Sequence, residues 1–182
     1  MERRKAELAR KGQSTRLEWT PVELSRISPA MQRAVVVAED ARFWEHDGVD
    51  WEAMRGALEK NWEKGQLKVG GSTITQQLAK NLYLSPARTP WRKLRELAIA
   101  WRLEHTLSKK RILELYLNVI EFGPRTYGVE AAARRYAGRS AEDLSREQAA
   151  LLAAVIPSPR IYDPVRHPDR VRRRAERILR WM

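Results

Sequence analysis

The chain has 182 residues, of which 35 are Lys or Arg and 23 are Asp or Glu, so its formal net charge is +12. It contains no cysteine, which excludes a disulfide framework, a thiolate nucleophile and a zinc site built on cysteines. With 43% hydrophobic residues, a chain of this length can bury the core of one globular domain, which excludes a disordered or collagen-like protein. Its three histidines are scattered, and we expect no metal site.

The positive charge predicts an anionic partner. Nucleic acid, anionic lipid head groups and a phosphorylated substrate all carry complementary charge, and composition alone does not choose among them. The longest uninterrupted apolar run, Ala149 to Ile156, has eight residues, whereas a helix needs about 20 to cross a bilayer. The first residues also lack the apolar segment and cleavage site of a signal peptide. The sequence as it stands therefore predicts a soluble chain.

Eight segments combine a helix-capping residue or an N-terminal proline with apolar residues at helical spacing. In chain order, the predicted helices begin near Ser28, Asp50, Thr73, Thr89, Ser108, Tyr127, Ser145 and Pro168. No alternating strand pattern longer than about four residues occurs, although residues 67–69 could form a short strand or hairpin edge. The sequence therefore predicts an all-α, mostly helical fold, with residues 1–18 as a polar N-terminal arm and 19–182 as the domain.

Large apolar side chains recur along the predicted helices. On the fourth helix, an apolar stripe comprises Trp91, Leu94, Ala98 and Trp101. Two interpretations are open for the large side chains at Trp19, Trp62, Leu82, Leu84 and Trp91. They either fill the core or, if exposed beside the many arginines, bind an anionic bilayer surface peripherally.

Glu39 is the first candidate catalytic residue. It lies four residues after Val35 and eight after Met31, so it continues the apolar stripe of the first helix near that helix's C-terminal end. Partial burial and the negative end of the helix dipole both raise the pKa of a carboxyl group, toward the range in which it accepts a proton from a hydroxyl. The alternative is that Glu39 pairs with Arg42 or caps the following loop.

A glycine pair at 70–71 comes directly before the third helix. The open amides and positive dipole end of a helix N-terminus attract phosphate-like anions. Gln76 and Gln77 lie one turn from Lys80, which gives this helix a hydrogen-bonding wall. The lysine position of a nucleotide-binding P-loop is missing, so ATP binding is not implied. Alone, this pattern favours an ordinary capped surface helix over an anion site.

Basic residues surround Glu96, since Arg92 and Lys93 precede it by four and three positions. A helical salt-bridge cluster explains this spacing and stabilises a helix by about 0.2 to 0.5 kcal/mol per pair. The sharper interpretation is a second carboxylate, held ionised beside cations that also neutralise a pyrophosphate. Two carboxylates with a polar, basic wall are typical of glycosyl transfer or hydrolysis.

Four segments carry a resemblance to a known family. They are residues 39–48 (EDARFWEHDG), 70–77 (GGSTITQQ), 92–96 (RKLRE) and 110–118 (KRILELYLN). Taken in order, they closely resemble the motifs of family 51 glycosyltransferases, the peptidoglycan polymerases that occur alone or as the N-terminal domain of class A penicillin-binding proteins. The resemblance continues through residues 121–128, 157–159 and 162–164, and it covers the chain from about Trp19 to the end.

The resemblance implies a bilobed, lysozyme-like domain that joins lipid II units into glycan strands. Glu39 would be the general base that deprotonates the 4-hydroxyl of the acceptor, which attacks the anomeric carbon of the donor with inversion and releases undecaprenyl pyrophosphate. Glu96 matches the family's second glutamate, which assists at the donor side. Basic residues at the donor pyrophosphate would be Lys80, Arg88, Arg92 and Lys93, and the cleft would be lined by Ser72, Thr73, Gln76 and Gln77.

The resemblance also implies partners and a location. Lipid II and the growing glycan strand are the substrates, and moenomycin is the expected inhibitor. No redox or nucleotide cofactor is required, although a divalent cation near the pyrophosphate is compatible with the family. Its members act at the outer face of the bacterial cytoplasmic membrane, where an N-terminal transmembrane helix holds them. Because this chain begins after the position of that helix, we expect a soluble or peripheral protein.

Two other functions agree with parts of the sequence. A lysozyme-like glycan hydrolase would share the fold and a catalytic glutamate, but a neutral glycan does not require the basic wall of residues 80–93. A non-enzymatic module would use the arginine-rich residues 166–180 to bind a membrane or nucleic acid. Because Asp169 and Glu176 partly balance that run, a solvated helix face explains it more simply, and we expect no nucleic-acid partner.

Overall fold

The computed structural model describes residues 5–6, 9–10, 12, 14–63, 71–84, 89–159, 161–162 and 164–182, apart from the side chains of 57, 58 and 60–63. From residue 29 onward, the α-helices of this part of the chain are α1 (Pro29–Glu39), α2 (Trp51–Glu63), α3 (Ile74–Tyr83), α4 (Pro90–Thr106), α5 (Lys109–Val119), α6 (Val129–Ala137), α7 (Arg146–Val155) and α8 (Pro168–Trp181). Each begins within two residues of its predicted start, which confirms the mostly helical fold.

The helix starts follow from local capping. The Thr73 side chain accepts a hydrogen bond from the Gln76 amide at the start of α3, and Thr89 does the same for Arg92 at the start of α4. Ser145 and Gln148 form a reciprocal capping box at α7. These bonds satisfy backbone donors that the first turn of a helix leaves open, so the sequence alone was enough to locate them.

A small three-stranded sheet was not predicted. It consists of β1 (Glu18–Trp19), β2 (Glu121–Gly123) and β3 (Thr126–Tyr127), and β3 lies in the centre. β1 runs parallel to β3, and β2 runs antiparallel to it with an irregularity between Glu121 and Gly123. Glu18, the last residue of the predicted arm, is thus part of the sheet. The strand predicted at residues 67–69 falls outside the described residues.

The chain divides into two compact units, of which the first is Met1–Val35 with Leu117–Met182. It contains the sheet and the packed pair α7 and α8. α8 buries Val171, Ala175 and Ile178, while most of its arginines lie on the exposed side. Asn118 bonds the backbone N–H and C=O of Val22, both at 2.8 Å.

The second unit, Val36–Tyr116, contains every residue of the predicted site. Helices α3 and α4 pack together in it, and its core includes Phe43, Ile74, Leu78, Ile112 and Leu113. α3 turns its apolar side inward, which leaves Lys80 and Asn81 exposed. No helix in the described part of the chain is long and apolar enough to cross a membrane.

The tryptophan stripe of α4 faces outward. Trp91 is 76% exposed, Leu94 56% and Trp101 58%, whereas the buried side of α4 consists of Glu96, Ala100 and Leu103. The core interpretation of Trp91 is therefore wrong, and the same holds for Trp19, which is 44% exposed. Helical spacing had shown which residues share a face, but it does not say which face the protein covers.

We predict that Glu130→Ala destabilises the first unit. The Glu130 carboxylate is buried and accepts hydrogen bonds from the Ala141 amide at 2.7 Å and from Arg134 Nε at 2.6 Å. Removing it leaves a buried N–H without its partner, which costs about 1 to 3 kcal/mol in the free energy of unfolding. Urea denaturation measures this loss. Arg134→Ala is the control, since its exposed side chain contributes less than about 1 kcal/mol, and equal losses in both variants would contradict the assignment.

Candidate active site

Asp40 joins the end of α1 to the start of α3. The carboxylate is buried, and its Oδ2 accepts a hydrogen bond from the Ile74 amide at 2.9 Å. Its Oδ1 lies 2.9 Å from His46 Nε2. A carboxylate at a helix N-terminus satisfies an open backbone donor and complements the positive end of the helix dipole. Asp40 therefore fixes where α3 begins relative to Glu39, the residue before it.

Asp40, His46 and Asp50 form the one buried group of three potential metal ligands in the described part of the chain. Each of the three side chains already has protein partners. His46 Nδ1 accepts a hydrogen bond from the Gly48 amide at 3.1 Å, which leaves Nε2 as the protonated nitrogen that donates to Asp40. Asp50 Oδ1 accepts from the Ala53 amide at 2.8 Å and caps α2. These bonds explain the cluster as a group of side chains that stabilises the loop of residues 40–50, called the 40–50 loop below.

Glu39 lies half-buried at the last position of α1. Its Oε2 accepts a hydrogen bond from the Gln77 side-chain amide at 2.9 Å, and the Tyr116 hydroxyl donates to Gln77 Oε1 at 2.9 Å. Tyr116 is fully buried. Burial raises the pKa of its hydroxyl well above the ordinary value, and the negative charges of Glu39 and Asp40 raise it further. The raised pKa that the sequence predicts for Glu39 stays a prediction.

The alternative partner of Glu39, Arg42, makes other contacts. Arg42 Nε lies 3.1 Å from a Glu45 carboxylate oxygen, and its Nη1 donates to Glu52. These carboxylates raise the pKa of the Arg42 guanidinium, with the Glu45 hydrogen bond as the largest cause. Arg42 thus binds within its own loop and to α2.

A second carboxylate, Glu96, lies between two cations on α4. Its side chain is 4% exposed, and it accepts hydrogen bonds from Arg92 Nη1 at 2.7 Å and Lys93 Nζ at 2.6 Å. Lys93 Nζ also reaches Gln76 Oε1 at 3.0 Å and Ser72 Oγ at 3.3 Å. The salt bridges that the spacing predicted are present, and they belong to a network that continues into α3. Because the group has two cations and one anion, it remains attractive to a further anion.

Two further bonds connect this network to the 40–50 loop. Thr73 Oγ1 donates to the Gly48 carbonyl at 2.6 Å, and Gln76 Nε2 approaches the same carbonyl at 3.4 Å. Gly48 has φ +88°, and an added Cβ would lie 3.0 Å from Glu104 Cγ, so both its backbone and its surroundings favour glycine. Gln76 and Gln77 are adjacent on α3, yet Gln76 contacts the Glu96 group and Gln77 contacts Glu39.

Sequence analysis missed three residues that support the site. Lys109 Nζ bonds the His46 carbonyl and lies 2.9 Å from Glu104 Oε1, which also accepts a 2.5 Å bond from Thr75. Lys109 also lies 4.7 Å from the centre of the Phe43 ring. Tyr116 lies within the motif of residues 110–118, which does not predict a role for it. The sequence pattern does not predict these contacts, because they join different elements, and all but the Lys109–Glu104 pair join residues at least 29 positions apart.

The structure brings together most of the predicted site residues. Two groups form, one of Glu39 and Gln77 and one of Ser72, Gln76, Arg92, Lys93 and Glu96. Thr73 supports both through the cap of α3. Lys80 lies exposed in the last turn of α3, one turn beyond Gln76 and Gln77. Arg88 falls outside the described residues.

Comparisons with known proteins find similar sequences over most of this chain. The model of the family described as Transglycosylase matches residues 5–182. A relative from Nitrosospira multiformis, named biosynthetic peptidoglycan transglycosylase, is 56% identical over 164 residues, which are 90% of this chain and 70% of the relative. Relatives of the same name from Methylobacillus flagellatus and Laribacter hongkongensis are 55% and 48% identical, covering 86% and 100% of this chain and 69% and 80% of their own lengths. These names do not favour a hydrolase or a non-enzymatic module.

We predict that Tyr116 makes folding stability sensitive to alkaline pH. Its pKa is raised in the folded chain, so its contribution is fully present below the ordinary tyrosine value of about 10. Above that value the unfolded chain releases a proton that the folded chain keeps, and stability falls by up to about 1.4 kcal/mol per pH unit. Urea unfolding between about pH 9 and about pH 11 should show a steeper decline for the wild type than for Tyr116→Phe. Tyr83→Phe, at an exposed position, should decline like the wild type. Parallel curves for all three proteins would contradict the prediction.

Proposed function

The chain belongs to the transglycosylase family, the family 51 peptidoglycan glycosyltransferases, and from this premise we propose how its residues polymerise lipid II. The observation that carries the proposal is the pair of adjacent residues Gln76 and Gln77. One is hydrogen-bonded to the cationic group around Glu96, and the other is bonded to Glu39. A half-buried carboxylate at the end of α1 and an anion-attracting group on α4 are thereby both hydrogen-bonded to one short helix, α3.

Glu39 acts as the general base. It removes the proton of the acceptor 4-hydroxyl while that oxygen attacks the anomeric carbon of the donor from the face opposite the pyrophosphate. The new glycosidic bond forms as the bond to the pyrophosphate breaks, so the configuration inverts. The proton passes to Glu39, and undecaprenyl pyrophosphate leaves with the bonding electrons. Partial burial favours this role because it makes the carboxylate a stronger base than one in water.

The group around Glu96 binds the donor pyrophosphate. Arg92 and Lys93 supply cationic donors, and Glu96 holds both in place through its two oxygens. Arg92 Nε is buried without a hydrogen-bond partner among the described residues. A buried donor without a partner lowers the stability of the fold, and such donors are typical of functional sites. Two further basic residues, Lys80 and Arg88, complete the proposed pyrophosphate-binding residues. The sugars are bound by Ser72, Thr73, Gln76 and Gln77. Neutralising the leaving group stabilises the charge that develops as its bond breaks.

The basic group around Glu96 also favours polymerisation over hydrolysis as the reaction of this site. A hydrolase acting on a neutral glycan would need the carboxylates but would gain nothing from Arg92 and Lys93 beside Glu96. The proposed reaction takes its acid–base and electrostatic catalysis from side chains, so it requires no redox or nucleotide cofactor. A divalent cation can accompany the pyrophosphate as a counterion. We extend the proposal to moenomycin as an inhibitor that occupies this same phosphate-binding group.

We further propose that α4 contacts the membrane, at the outer face of the cytoplasmic membrane where the substrate lies. Trp91, Leu94 and Trp101 expose one apolar stripe, and Arg95 and Arg102 are exposed beside it. Tryptophan prefers the interface between lipid and water, and arginine is attracted to anionic head groups. Such a surface suits an enzyme whose substrate has a long lipid tail.

We predict that Glu39→Gln abolishes glycan-strand formation from lipid II in detergent, because the amide keeps the size of the side chain but cannot take the proton. Glu96→Gln should lose less, since it weakens the cationic group without removing the base. Polymer on a gel is the readout. For Glu39→Gln, moenomycin binding is the control that the site is folded, and for Glu96→Gln, whose change lies in the proposed moenomycin site, the control is an unchanged urea unfolding curve. A Glu39→Gln protein with most of the wild-type rate would overturn the base assignment.

The membrane proposal predicts that Trp91→Ser combined with Trp101→Ser weakens binding to phosphatidylglycerol-containing vesicles by about tenfold or more, the effect of about 1.4 kcal/mol. Co-sedimentation measures the bound fraction. Trp181→Ser removes an equally exposed tryptophan from the first unit and should change binding by less than about twofold, roughly 0.4 kcal/mol. Equal losses in both variants would contradict a membrane surface on α4.

A further inference from the structure

A short hydrogen-bonded chain leads from Glu39 to a fully buried hydroxyl. Gln77 Nε2 donates to Glu39 Oε2 at 2.9 Å, and Tyr116 donates to Gln77 Oε1 at 2.9 Å. The three side chains come from the end of α1, the first turns of α3 and the interior side of α5. All three belong to the second unit.

The two hydrogen bonds between Tyr116, Gln77 and Glu39 can have only one donor-to-acceptor direction. A carboxylate accepts hydrogen bonds and cannot donate them, so it must face the NH2 of Gln77. The carbonyl of Gln77 then faces Tyr116, which must donate its hydroxyl proton. If the amide turned by 180°, its carbonyl would face the carboxylate, and two acceptors would repel each other. The buried hydroxyl thus selects the amide orientation that serves Glu39.

Tyr116 is a dependable donor. Its hydroxyl is removed from water, and burial and the nearby carboxylates Glu39 and Asp40 all oppose its ionisation. It therefore keeps its proton throughout the pH range in which a carboxylate base works. Glutamine itself has no proton to exchange in that range, so a proton taken up by Glu39 is not passed inward to Tyr116.

We propose that Gln77 and Tyr116 are positioning residues for Glu39, with Tyr116 acting only through the Gln77 amide. The inference rests on the proposed role of Glu39 as general base. A glutamate has three side-chain torsions, and a base must lie within hydrogen-bond reach of the hydroxyl it deprotonates. The Gln77 bond removes much of that freedom before the substrate arrives. This assigns Gln77 to orientation of the base, in addition to the sugar contact proposed above.

Steady-state polymerisation with lipid II in detergent tests the proposal through the ratio of kcat to KM effects. We expect Tyr116→Phe to lower kcat by about ten- to a hundredfold, the range for a misplaced catalytic group. The KM for lipid II should stay within about twofold, since Tyr116 is buried away from substrate. Tyr83→Phe makes the same chemical change at a residue of α3 that is 52% exposed, and it should leave both constants unchanged.

A second variant covers the case in which Tyr116→Phe fails to fold. Gln77→Met keeps the length of the side chain on a half-buried helix position and removes both hydrogen bonds. It should lower kcat at least as much as Tyr116→Phe does. If Tyr116 acts only through the Gln77 amide, the double variant should be no slower than Gln77→Met alone. Additive losses in the double variant would refute the proposed route.

The outcomes separate this proposal from the one on which it rests. If Glu39→Gln is inactive but Tyr116→Phe and Gln77→Met both keep the wild-type kcat, positioning is refuted and the base assignment stands. If Glu39→Gln is active, both proposals fall. A fall in kcat at constant KM, with no added loss in the double variant, supports positioning. A rise in KM at constant kcat would instead make Gln77 a substrate contact alone, which overturns the proposal.

Discussion

The arrangement of the site depends on the buried carboxylate of Asp40. It accepts one hydrogen bond from the following loop, through His46, and one from the first amide of α3. These two bonds join three parts of the second unit, the end of α1, the 40–50 loop and the start of α3, at a single side chain. Because α3 is rigid, fixing its first residue also fixes Gln77 one turn later, within reach of Glu39. The position of the proposed base therefore depends on a neighbour that has no role in the chemistry itself.

Adjacent residues serve different purposes at two places. Glu39 and Asp40 are consecutive, but one is half-buried at the end of α1 and the other is buried against the start of α3. Gln76 and Gln77 are also consecutive, and their side chains leave α3 about 100° apart. This divergence lets one short helix hold a proton-accepting group on one side and a cationic group on the other. Local geometry thus keeps two carboxylates, Glu39 and Glu96, in separate environments.

Sequence patterns located the helices because helix starts are specified by nearby residues. Thr73, Thr89 and Ser145 each cap their own first turn. The strands were missed because two or three residues carry no periodic pattern, and their pairing joins Glu18 to Thr126, far apart in the chain. The outward face of α4 was equally hidden, since the spacing of its apolar residues is the same whether protein or another apolar medium covers them.

The candidate site was predictable to the extent that its residues form motifs. Glu39, Glu96 and the residues of α3 were found in this way, and the structure shows which of them contact one another. The role of Tyr116 could not be predicted from its motif. The sequence does not show whether a tyrosine on a helix only packs in the core or also donates a hydrogen bond, and the contact with Gln77 is seen only in the structure. Lys109 and Glu104 were missed for the same reason, as each acts through partners on other elements.

Lys109 gives the 40–50 loop a dynamic property. Its ammonium group binds the His46 carbonyl, pairs with Glu104 and lies over the Phe43 ring. Together with the Asp40 and Gly48 bonds to α3, these contacts connect the loop directly to α3 and α5, and to α4 through the Lys109–Glu104 pair. Such a loop cannot open residue by residue, so its amide protons should exchange with solvent in one cooperative event rather than by local fraying. The segment would then behave as part of the core in its opening kinetics, although it has no regular secondary structure.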